Sequence, residues 1–378
     1  MNFETLVARG GRDVRSASRP LIAPIYQTNV YVFEVMDTVE SVWEHKRPGF
    51  VYGRYGTANH AMLEELVAAL EGAEAAVACA SGMGATTALL FGLFERGDHI
   101  VAARDLYGTT AAFFADEGRR LGIETDFVDA TDAGQILAAL RENTRAVFVE
   151  AISNPLLRLV DLPAVTGDLR RRGVELIVDA SMASPAVFRP IEHGADIVVH
   201  SLTKFISGHG DVTGGLVLGR AEAMARVRDA MIRAGANLGP FDAWLATRGA
   251  RTLAVRLERQ CTSALALAAF LERHPAVLRA QERDGIAHHR HAFVQVCAER
   301  LGDMQVPRLA DQADDLGAGV EHARAEAAPA HLEVGGGAGG AVVPHGGIAI
   351  VPEHQRPAFE PHQVAHGIPQ RGLDPEGG

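Results

Sequence analysis

One lysine stands out as a residue that could do covalent chemistry. The chain has 36 lysines and arginines, of which only Lys46 and Lys204 are lysines. Unlike arginine, lysine can lose its proton and attack a carbonyl carbon. Lys204 follows an apolar run at residues 197–200 and precedes a segment rich in hydroxyl groups and glycine. The sequence therefore predicts that Lys204 forms a Schiff base with a carbonyl cofactor, the alternative being a solvated loop lysine.

Two segments offer groups that could bind a phosphate. Ser201 and Thr203 place hydroxyl groups beside Lys204, and a Ser-Gly-Met-Gly turn contains Gly82 and Met83. Backbone N–H groups at the start of a helix bind phosphate. A dinucleotide fingerprint would need glycine at position 87, which is Thr87, so a nicotinamide site is disfavoured. A mononucleotide-sized cofactor fits this turn best, and a plain tight turn is the alternative.

Four more side chains are candidates because of their type and position. Asp179 ends an apolar strand, where a carboxylate is costly unless it is paired. In a pyridoxal phosphate (PLP) enzyme an aspartate pairs with the ring nitrogen, whereas the alternative is a helix cap. Tyr107 follows another strand and could stack on a flat ring. Arg54, close to Tyr52, suits phosphate recognition.

The elements that would position these residues alternate along residues 57–200. Short apolar runs between helices of ten or more residues are typical of parallel strands in an α/β sheet. Ligands bind beyond the carboxyl ends of such strands, where these candidates would meet. Helices are predicted near 61–70, from 82, and at 111–121, 133–140, 162–171 and through most of 221–273, including a long stretch at 243–271. Strands are predicted at 75–80, 99–103, 124–128, 146–150, 175–178 and 196–200, with a further one at 216–218.

Composition excludes several functional classes. The net charge of −11 argues against a nucleic-acid partner. No apolar run approaches the ~18 residues of a membrane span, so no membrane partner is expected. No signal-peptide core precedes the motifs, which predicts a cytoplasmic protein. The cysteines are too far apart for a zinc site, and the histidines at 288–291 lack ligand spacing, so no metal is expected.

Several segments together resemble the PLP-dependent enzymes of Cys/Met metabolism. This family includes cystathionine γ-synthase, cystathionine γ-lyase, methionine γ-lyase and O-acetylhomoserine sulfhydrylase. The matching segments follow the family's order and spacing from residue 3 to about residue 280. They are residues 3–6, 24–28, 81–83, 106–108, 153–155, 178–179 and 201–204.

The resemblance implies an α/β fold of PLP-dependent transferase fold type I, a mostly parallel sheet between helices with an N-terminal arm and an atypical C-terminal segment. It implies elimination or replacement at the β- or γ-carbon of a small amino acid, by a C–S lyase or a γ-synthase. Lys204 would hold PLP and move protons, and Tyr107 would stack on the ring and assist the leaving group. Asp179 would pair with the ring nitrogen and Asn154 would face its phenolic oxygen. The phosphate would bind Gly82, Met83, Ser201 and Thr203.

The resemblance also implies an assembly and a division into domains. Tyr52 and Arg54 would reach the phosphate of a neighbouring subunit, giving a homodimer or homotetramer with shared active sites. Residues 1–56 would form the arm that contributes to that neighbour. Residues 57–240 would form the large PLP-binding domain, and residues 241–378 a helical connection and C-terminal domain.

Residues 281–378 depart from the family. They lack its substrate-binding arginine and its Ser-Leu-Gly-Gly-like segment, and their composition approaches that of poorly ordered chains. One hypothesis is a shifted reading frame from about residue 285, and the alternative is a divergent small domain. A PLP-fold protein without turnover is therefore the second hypothesis for function. Transamination on the same fold is a third, disfavoured by the motifs.

Overall fold

The computed structural model describes residues 20–44, 46–154 and 156–273. Three sets of expectations lie outside these residues: the segment at 3–6, the proline of the 153–155 motif, and everything inferred for residues 281–378. The domain division at residues 56 and 240 stays a prediction.

A seven-stranded sheet forms the centre of the described chain. Its spatial order is β1-β7-β6-β5-β4-β2-β3, and the predicted mostly parallel α/β sheet is confirmed. Central strand side chains such as Val101, Val147 and Val178 are fully buried, and burial of each contributes about 1.5–3 kcal/mol. The strands are β1 Ala75–Cys79, β2 His99–Ala103, β3 Glu124–Val128, β4 Thr144–Glu150, β5 Glu175–Asp179, β6 Ile197–Ser201 and β7 Gly215–Gly219.

Strand β7 runs against its neighbours. It pairs antiparallel with both β1 and β6, whereas β2 to β6 pair parallel among themselves. Its first residue, Gly215, allows this insertion, because a Cβ there would lie 2.3 Å from the Ser81 carbonyl oxygen. The strand predicted at 216–218 is thus present as β7. Its antiparallel direction could not be predicted from the hydrophobic periodicity of the sequence.

Helices cover this sheet at the positions that the sequence pattern indicates. Helices α3 and α9 pack against each other and against β1 and β7. Gly92 permits this contact, because a Cβ there would lie 2.9 Å from the Val227 backbone. The helices are α1 Met36–Trp43, α2 Ala58–Glu71, α3 Gly82–Leu93, α4 Gly108–Ala112, α5 Arg119–Leu121, α6 Ala133–Ala138, α7 Leu162–Arg172, α8 Ser184–Val187, α9 Ala221–Ala234, α10 Pro240–Ala250 and α11 Leu253–Arg273, with a π-helical stretch Phe113–Gly118 joining α4 to α5.

The prediction of one long helix at residues 243–271 is wrong in one respect. The segment forms two helices, α10 and α11, with a turn at Arg251 and Thr252 between them. Gly249 approaches the loop after β6 so closely that a Cβ there would lie 2.2 Å from the Ser207 carbonyl oxygen. This tertiary contact fixes the end of α10, and a helical periodicity cannot reveal it. Among the described helices, none combines the length and apolarity that a membrane crossing requires.

Candidate active site

The carboxyl ends of six strands lie at one edge of the sheet. Strands β2 to β6 are parallel, and β1 shares their direction because the antiparallel β7 lies between it and β6. Each of the six strands leaves the sheet at this edge, where side chains distant in sequence come together. This is the edge at which open α/β sheets bind ligands.

The turn between β1 and α3 forms a small anion cradle. Ser81 caps α3, and its Oγ accepts a hydrogen bond from the Gly84 N–H at 2.9 Å. The Gly82 and Met83 N–H groups stand at the positive end of the helix, where the first turn has no intrahelical acceptors. A Cβ at Gly82 would lie 3.3 Å from the Oγ of Ser201, so this turn and the end of β6 share one space.

The loop after β6 presents Lys204. Its backbone is held in a turn, with the Lys204 N–H donating to the Ser201 carbonyl and the Gly208 N–H donating to the Lys204 carbonyl. The side chain is exposed, and no hydrogen bond or ion pair joins its amine to any residue that the structure describes. Lys46, by contrast, forms a surface ion pair with Glu44 at 2.6 Å. Lys204 is therefore the lysine available for chemistry at the sheet edge.

Thr203, beside this lysine, uses its hydroxyl group within the loop. The Thr203 Oγ1 accepts from the Gly214 N–H at 3.2 Å. The hydroxyl also donates to the Gly214 carbonyl at 3.4 Å. It therefore fixes the loop to the residue that precedes β7, and it would have to reorient to donate to a phosphate.

Asp179 is tied to the end of β6 by two hydrogen bonds in series. The Asp179 Oδ1 accepts from the Ser181 N–H at 2.8 Å, and the Ser181 Oγ accepts from the Ser201 N–H at 2.6 Å. Burial raises the pKa of Asp179, while the Ser181 hydrogen bonds and His200 act to lower it. The Asp179 carboxylate accepts from the turn that follows its own strand, and it caps no helix among the described residues. The helix-cap alternative is therefore not observed.

Glu150, at the end of β4, was missed by the sequence analysis. It is 6% exposed, and its Oε1 accepts from the Tyr107 N–H at 2.6 Å. Its other oxygen, Oε2, accepts from the Asn154 N–H at 3.3 Å. One carboxylate thus joins the two loops that carry Tyr107 and Asn154. The rule that identified Asp179, a carboxylate ending an apolar strand, would also have identified Glu150.

Glu150 and Asp179 stand directly opposite each other in neighbouring parallel strands. Burial, followed by the like charge of Asp179, raises the pKa of Glu150 to about 8. The N–H groups of Tyr107 and Asn154 lower it, but they do not offset the burial. This edge of the sheet therefore holds two buried carboxyl groups whose ionised forms a bound cation would stabilise.

Tyr107 and Met83 lie in neighbouring segments. Tyr107 precedes α4, and its side chain is 51% exposed. The Thr110 hydroxyl, one turn into α4, donates to the Met83 sulfur at 3.6 Å. The turn containing Met83 and the loop containing Tyr107 are therefore neighbours, as the predicted site requires.

Tyr52 and Arg54 lie apart from this group. The Arg54 guanidinium donates to the Ile232 carbonyl at 3.0 Å and lies over the rings of Tyr52 and Tyr55. Tyr52 is 41% exposed. No hydrogen bond, ion pair or ring contact within the described chain connects either residue to Lys204.

A buried hydrogen bond links α2 to the strand that leads to Lys204. The His200 Nε2 lies 2.9 Å from the Glu71 Oε2, and both side chains are fully buried. Glu71 ends α2 and His200 precedes Ser201 in β6, so this pair anchors the helix to the strand that leads to Lys204.

Comparison with known proteins gives a consistent result. The model of the family described as Cys/Met metabolism PLP-dependent enzyme matches residues 4–313. The match extends beyond residue 280, so the limit predicted for the resemblance is too short. A change of reading frame as early as residue 285 gains no support from it.

Three of the similar proteins are named as lyases or as a sulfhydrylase. The chain is 40% identical to an L-methionine gamma-lyase of Porphyromonas gingivalis over 278 residues, 73% of this chain and 69% of that protein. It is 39% identical to an O-succinylhomoserine sulfhydrylase of Pseudomonas aeruginosa over 293 residues, 78% and 72% of the two chains. It is 36% identical to a cystathionine gamma-lyase of Bacillus subtilis over 305 residues, 80% and 78% of the two chains.

A solved structure shares the architecture. The crystal structure of MetB from Corynebacterium glutamicum superposes with a TM-score of 0.67 and 32% sequence identity. The similarity covers 79% of this chain and 75% of that one.

Proposed function

The chain belongs to the family of PLP-dependent enzymes of Cys/Met metabolism, and from this premise we propose that it acts in sulfur amino-acid metabolism, removing or replacing the substituent at the β- or γ-carbon of an amino acid. The observation that carries the proposal is the meeting of Lys204, Asp179 and the Gly82 turn at one sheet edge. A PLP-fold protein without turnover, the alternative from the sequence, has no specific support among its relatives, which carry the names of active enzymes.

The residues at this edge fit PLP. The cofactor is a phosphorylated aldehyde on a pyridine ring, and its protein partners are a lysine, a carboxylate at the ring nitrogen and a phosphate site. The close approach of Gly82 to Ser201 leaves room that any larger residue at position 82 would fill. The buried, opposed carboxylates at the neighbouring strand ends call for a positive partner, which a protonated ring nitrogen provides.

We assign the cofactor-binding tasks as follows. Lys204 would hold the carbonyl carbon through its amine, and Asp179 would face the ring nitrogen. Asn154, at the end of the loop after β4, would face the phenolic oxygen. The phosphate would be bound by the N–H groups of Gly82 and Met83 and by the hydroxyl groups of Ser201 and Thr203.

The chemistry that PLP supplies when bound is stabilisation of negative charge at the α-carbon of the substrate amino acid. This chain's own side chains handle the protons. Lys204 would accept the proton from the α-carbon, because its amine has no described partner that competes for it. Tyr107, whose side chain is half exposed, would stack on the cofactor ring and donate a proton to the leaving group.

Oligomerisation is part of the proposal. Tyr52 and Arg54 lie away from Lys204 within one chain, and the segment around them exposes apolar side chains. We propose that they complete the phosphate site of a second copy in a homodimer or homotetramer. The exposed side chains include Leu21 at 96%, Val30 at 68%, Val32 at 89% and Met36 at 71%.

A spectroscopic experiment tests the cofactor assignment. We expect purified protein to show a visible absorption band with PLP that borohydride removes, and a Lys204→Ala variant to lack this band. Lys46→Ala is the matched control and should retain it, because Lys46 pairs with Glu44 on the surface. An intact band in the Lys204 variant would refute the assignment.

Product analysis then tests the reaction. Methionine, cystathionine and O-succinylhomoserine with a thiol are the substrates to try, since they correspond to the names of the relatives. Formation of ammonia, a 2-oxo acid and a thiol would identify a lyase, and a thioether amino acid would identify a synthase. PLP binding without any of these products would support the alternative without turnover, and transfer of the amino group to a 2-oxo acid would indicate transamination.

A further inference from the structure

We propose that Glu150 is a positioning residue of the active site, whose two carboxylate oxygens fix the Tyr107 loop and the Asn154 loop relative to each other. The inference rests on the proposed function, since it assigns a purpose to a residue that acts through Tyr107 and Asn154. Glu150 itself reaches neither substrate nor cofactor in this role.

The geometry of the two hydrogen bonds is specific. Each oxygen of Glu150 accepts one backbone N–H, at 2.6 Å from Tyr107 and at 3.3 Å from Asn154. Hydrogen bonds to a charged acceptor are about twice as strong as neutral ones, so Glu150 holds both loops most tightly when it is ionised. In the protein without PLP this requires a pH above about 8, because burial and the charge of Asp179 raise the pKa of Glu150 to that value. Only a side chain with two acceptor oxygens at this length satisfies both donors.

The same loops are also joined by a second link farther from Lys204. The Arg158 guanidinium lies 3.0 Å from Asp105 and 3.5 Å from Asp129. The Arg158 N–H in turn donates to the Ser153 hydroxyl at 3.0 Å. This link keeps the loops together when Glu150 is altered, so a Glu150 variant should fold while its loops lose their fixed spacing.

The carboxylate is unfavourable for stability where it stands. It is buried opposite Asp179, and this environment raises its pKa to about 8. Burying an ionisable group costs free energy unless it is fully hydrogen-bonded or paired. A carboxyl group in such a place is therefore better explained by the loops that it positions than by a contribution to the stability of the fold.

The first test is amide hydrogen exchange in protein without PLP at a pH above about 8, where Glu150 is ionised. We expect Glu150→Gln to accelerate exchange about tenfold or more in the peptide of Tyr107, the peptide of Asn154, or both, because glutamine offers one acceptor for two donors. Glu175→Gln is the matched control, since Glu175 begins β5 at the opposite edge of the sheet and pairs with Arg220. Exchange in the two peptides that is equal in the two variants would overturn the proposal.

The second test is a kinetic double-mutant cycle on the holoenzyme. We expect Glu150→Gln to lower kcat by about 10- to 100-fold with KM changed little, because displaced catalytic groups reduce the rate more than binding. Combined with Tyr107→Phe it should lower kcat by clearly less than the product of the two single effects. Multiplicative effects would overturn the proposal.

Two further variants distinguish failure of the role proposed for Glu150 from failure of the role proposed for Tyr107. Glu150→Asp keeps the charge but is too short to reach both N–H groups, and it replaces the glutamine variant if that variant fails to fold. If Tyr107→Phe alone leaves turnover unchanged, the role proposed for Tyr107 fails. The exchange experiment, which needs neither cofactor nor turnover, still decides the role of Glu150.

Discussion

At the scale of single residues, the opposed carboxylates of Glu150 and Asp179 govern how the protein without PLP responds to pH. The pKa of Glu150 rises from an ordinary 4.5 to about 8 on folding, chiefly because it is buried. Between these values the folded chain holds a proton that the unfolded chain has released. The free energy of unfolding therefore falls as the pH rises from 4.5 to 8, and the loss is complete above that range.

We expect Glu150→Gln to remove most of this dependence. Glutamine cannot ionise, so the variant should lose less stability than the wild type between pH 5 and pH 8, by an amount on the order of a few kcal/mol. Urea unfolding of the PLP-free proteins at both pH values measures the difference. Equal losses in the two proteins would contradict the raised pKa.

The sequence was sufficient to predict which residues lie at the site, but not which hydrogen bonds they form. Lys204, Asp179 and Tyr107 could be found because each follows an apolar strand, and strand ends determine the edge of the sheet. Glu150 obeys the same rule, but its role depends on two backbone N–H groups, one from the preceding loop and one from the following loop. Local pattern does not report which N–H groups a carboxylate will meet.

At the scale of elements, the insertion of β7 holds the anion cradle in place. Gly215 contacts the carbonyl of Ser81, the residue that caps α3. The six longer strands predicted from apolar runs begin and end within two residues of their observed bounds. The antiparallel direction of β7 could not be predicted, because a run of three apolar residues carries no direction.

We expect Gly215→Ala to weaken PLP binding. Its Cβ would lie 2.3 Å from the Ser81 carbonyl oxygen, so β1 and the turn after it must move. Overpacking of this kind costs typically ~1–3 kcal/mol, and the displaced N–H groups should raise the Kd for PLP about tenfold or more. A cofactor titration measures the Kd and thermal unfolding measures the stability.

Gly167→Ala is the matched control for this substitution. Gly167 is exposed within α7, and a Cβ there has only the end of the Arg171 side chain within 4 Å. Alanine in a helix is favoured over glycine by roughly 0.5–1 kcal/mol, so this variant should be as stable as the wild type or more stable. Unchanged PLP affinity in the Gly215 variant would refute the coupling of β7 to the cradle.

The Glu71–His200 pair is the second connection between elements that can be tested. Removing one partner from a buried hydrogen bond leaves the other polar group unsatisfied, which costs about 1–3 kcal/mol. We expect a loss of this size for Glu71→Leu, measured by urea unfolding. In contrast, Glu117→Leu removes an exposed pair with Arg120, and such pairs contribute only about 0–1 kcal/mol.

At the scale of the whole molecule, the segment before α2 indicates how copies of the chain assemble. Leu21, Val30 and Val32 are largely exposed although they are apolar, and Tyr52 and Arg54 follow them without reaching Lys204. Burial of this surface by a second copy would account for both observations. Contiguous exposed apolar surface is typical of an interaction site.

We expect the wild type to sediment as a dimer or tetramer. A Val30→Ser/Val32→Ser variant should dissociate at a higher protein concentration than the wild type. Leu121→Ser is the control, since Leu121 is 42% exposed at the end of α5, away from this segment. Analytical ultracentrifugation over a concentration series measures the dissociation. A wild type that is monomeric with full PLP affinity would refute the proposed sharing of sites.

The chain after residue 313 lies beyond the family match. The hypothesis of a shifted reading frame now concerns this part of the sequence. An intact mass of protein from its natural source that equals the mass of the 378 residues would refute it. A different mass would support it, and a divergent small domain would then no longer be needed to explain the composition.

The position of β7 also has a consequence for synthesis on the ribosome. Within the described sheet, β1 has β7 as its single neighbour. Ala75 is paired with Gly219, so β1 can form its backbone hydrogen bonds only after residue 219 has been synthesised. At ~5–20 residues per second this delay is roughly 7–30 s, during which the strands from β2 to β6 can already associate. The nascent chain thus carries one apolar strand without its partner, and this strand leads directly into the Ser81 turn. Cofactor capture must therefore be a late event in the maturation of each chain, and a polypeptide released before β7 emerges would expose a surface that chaperones recognise.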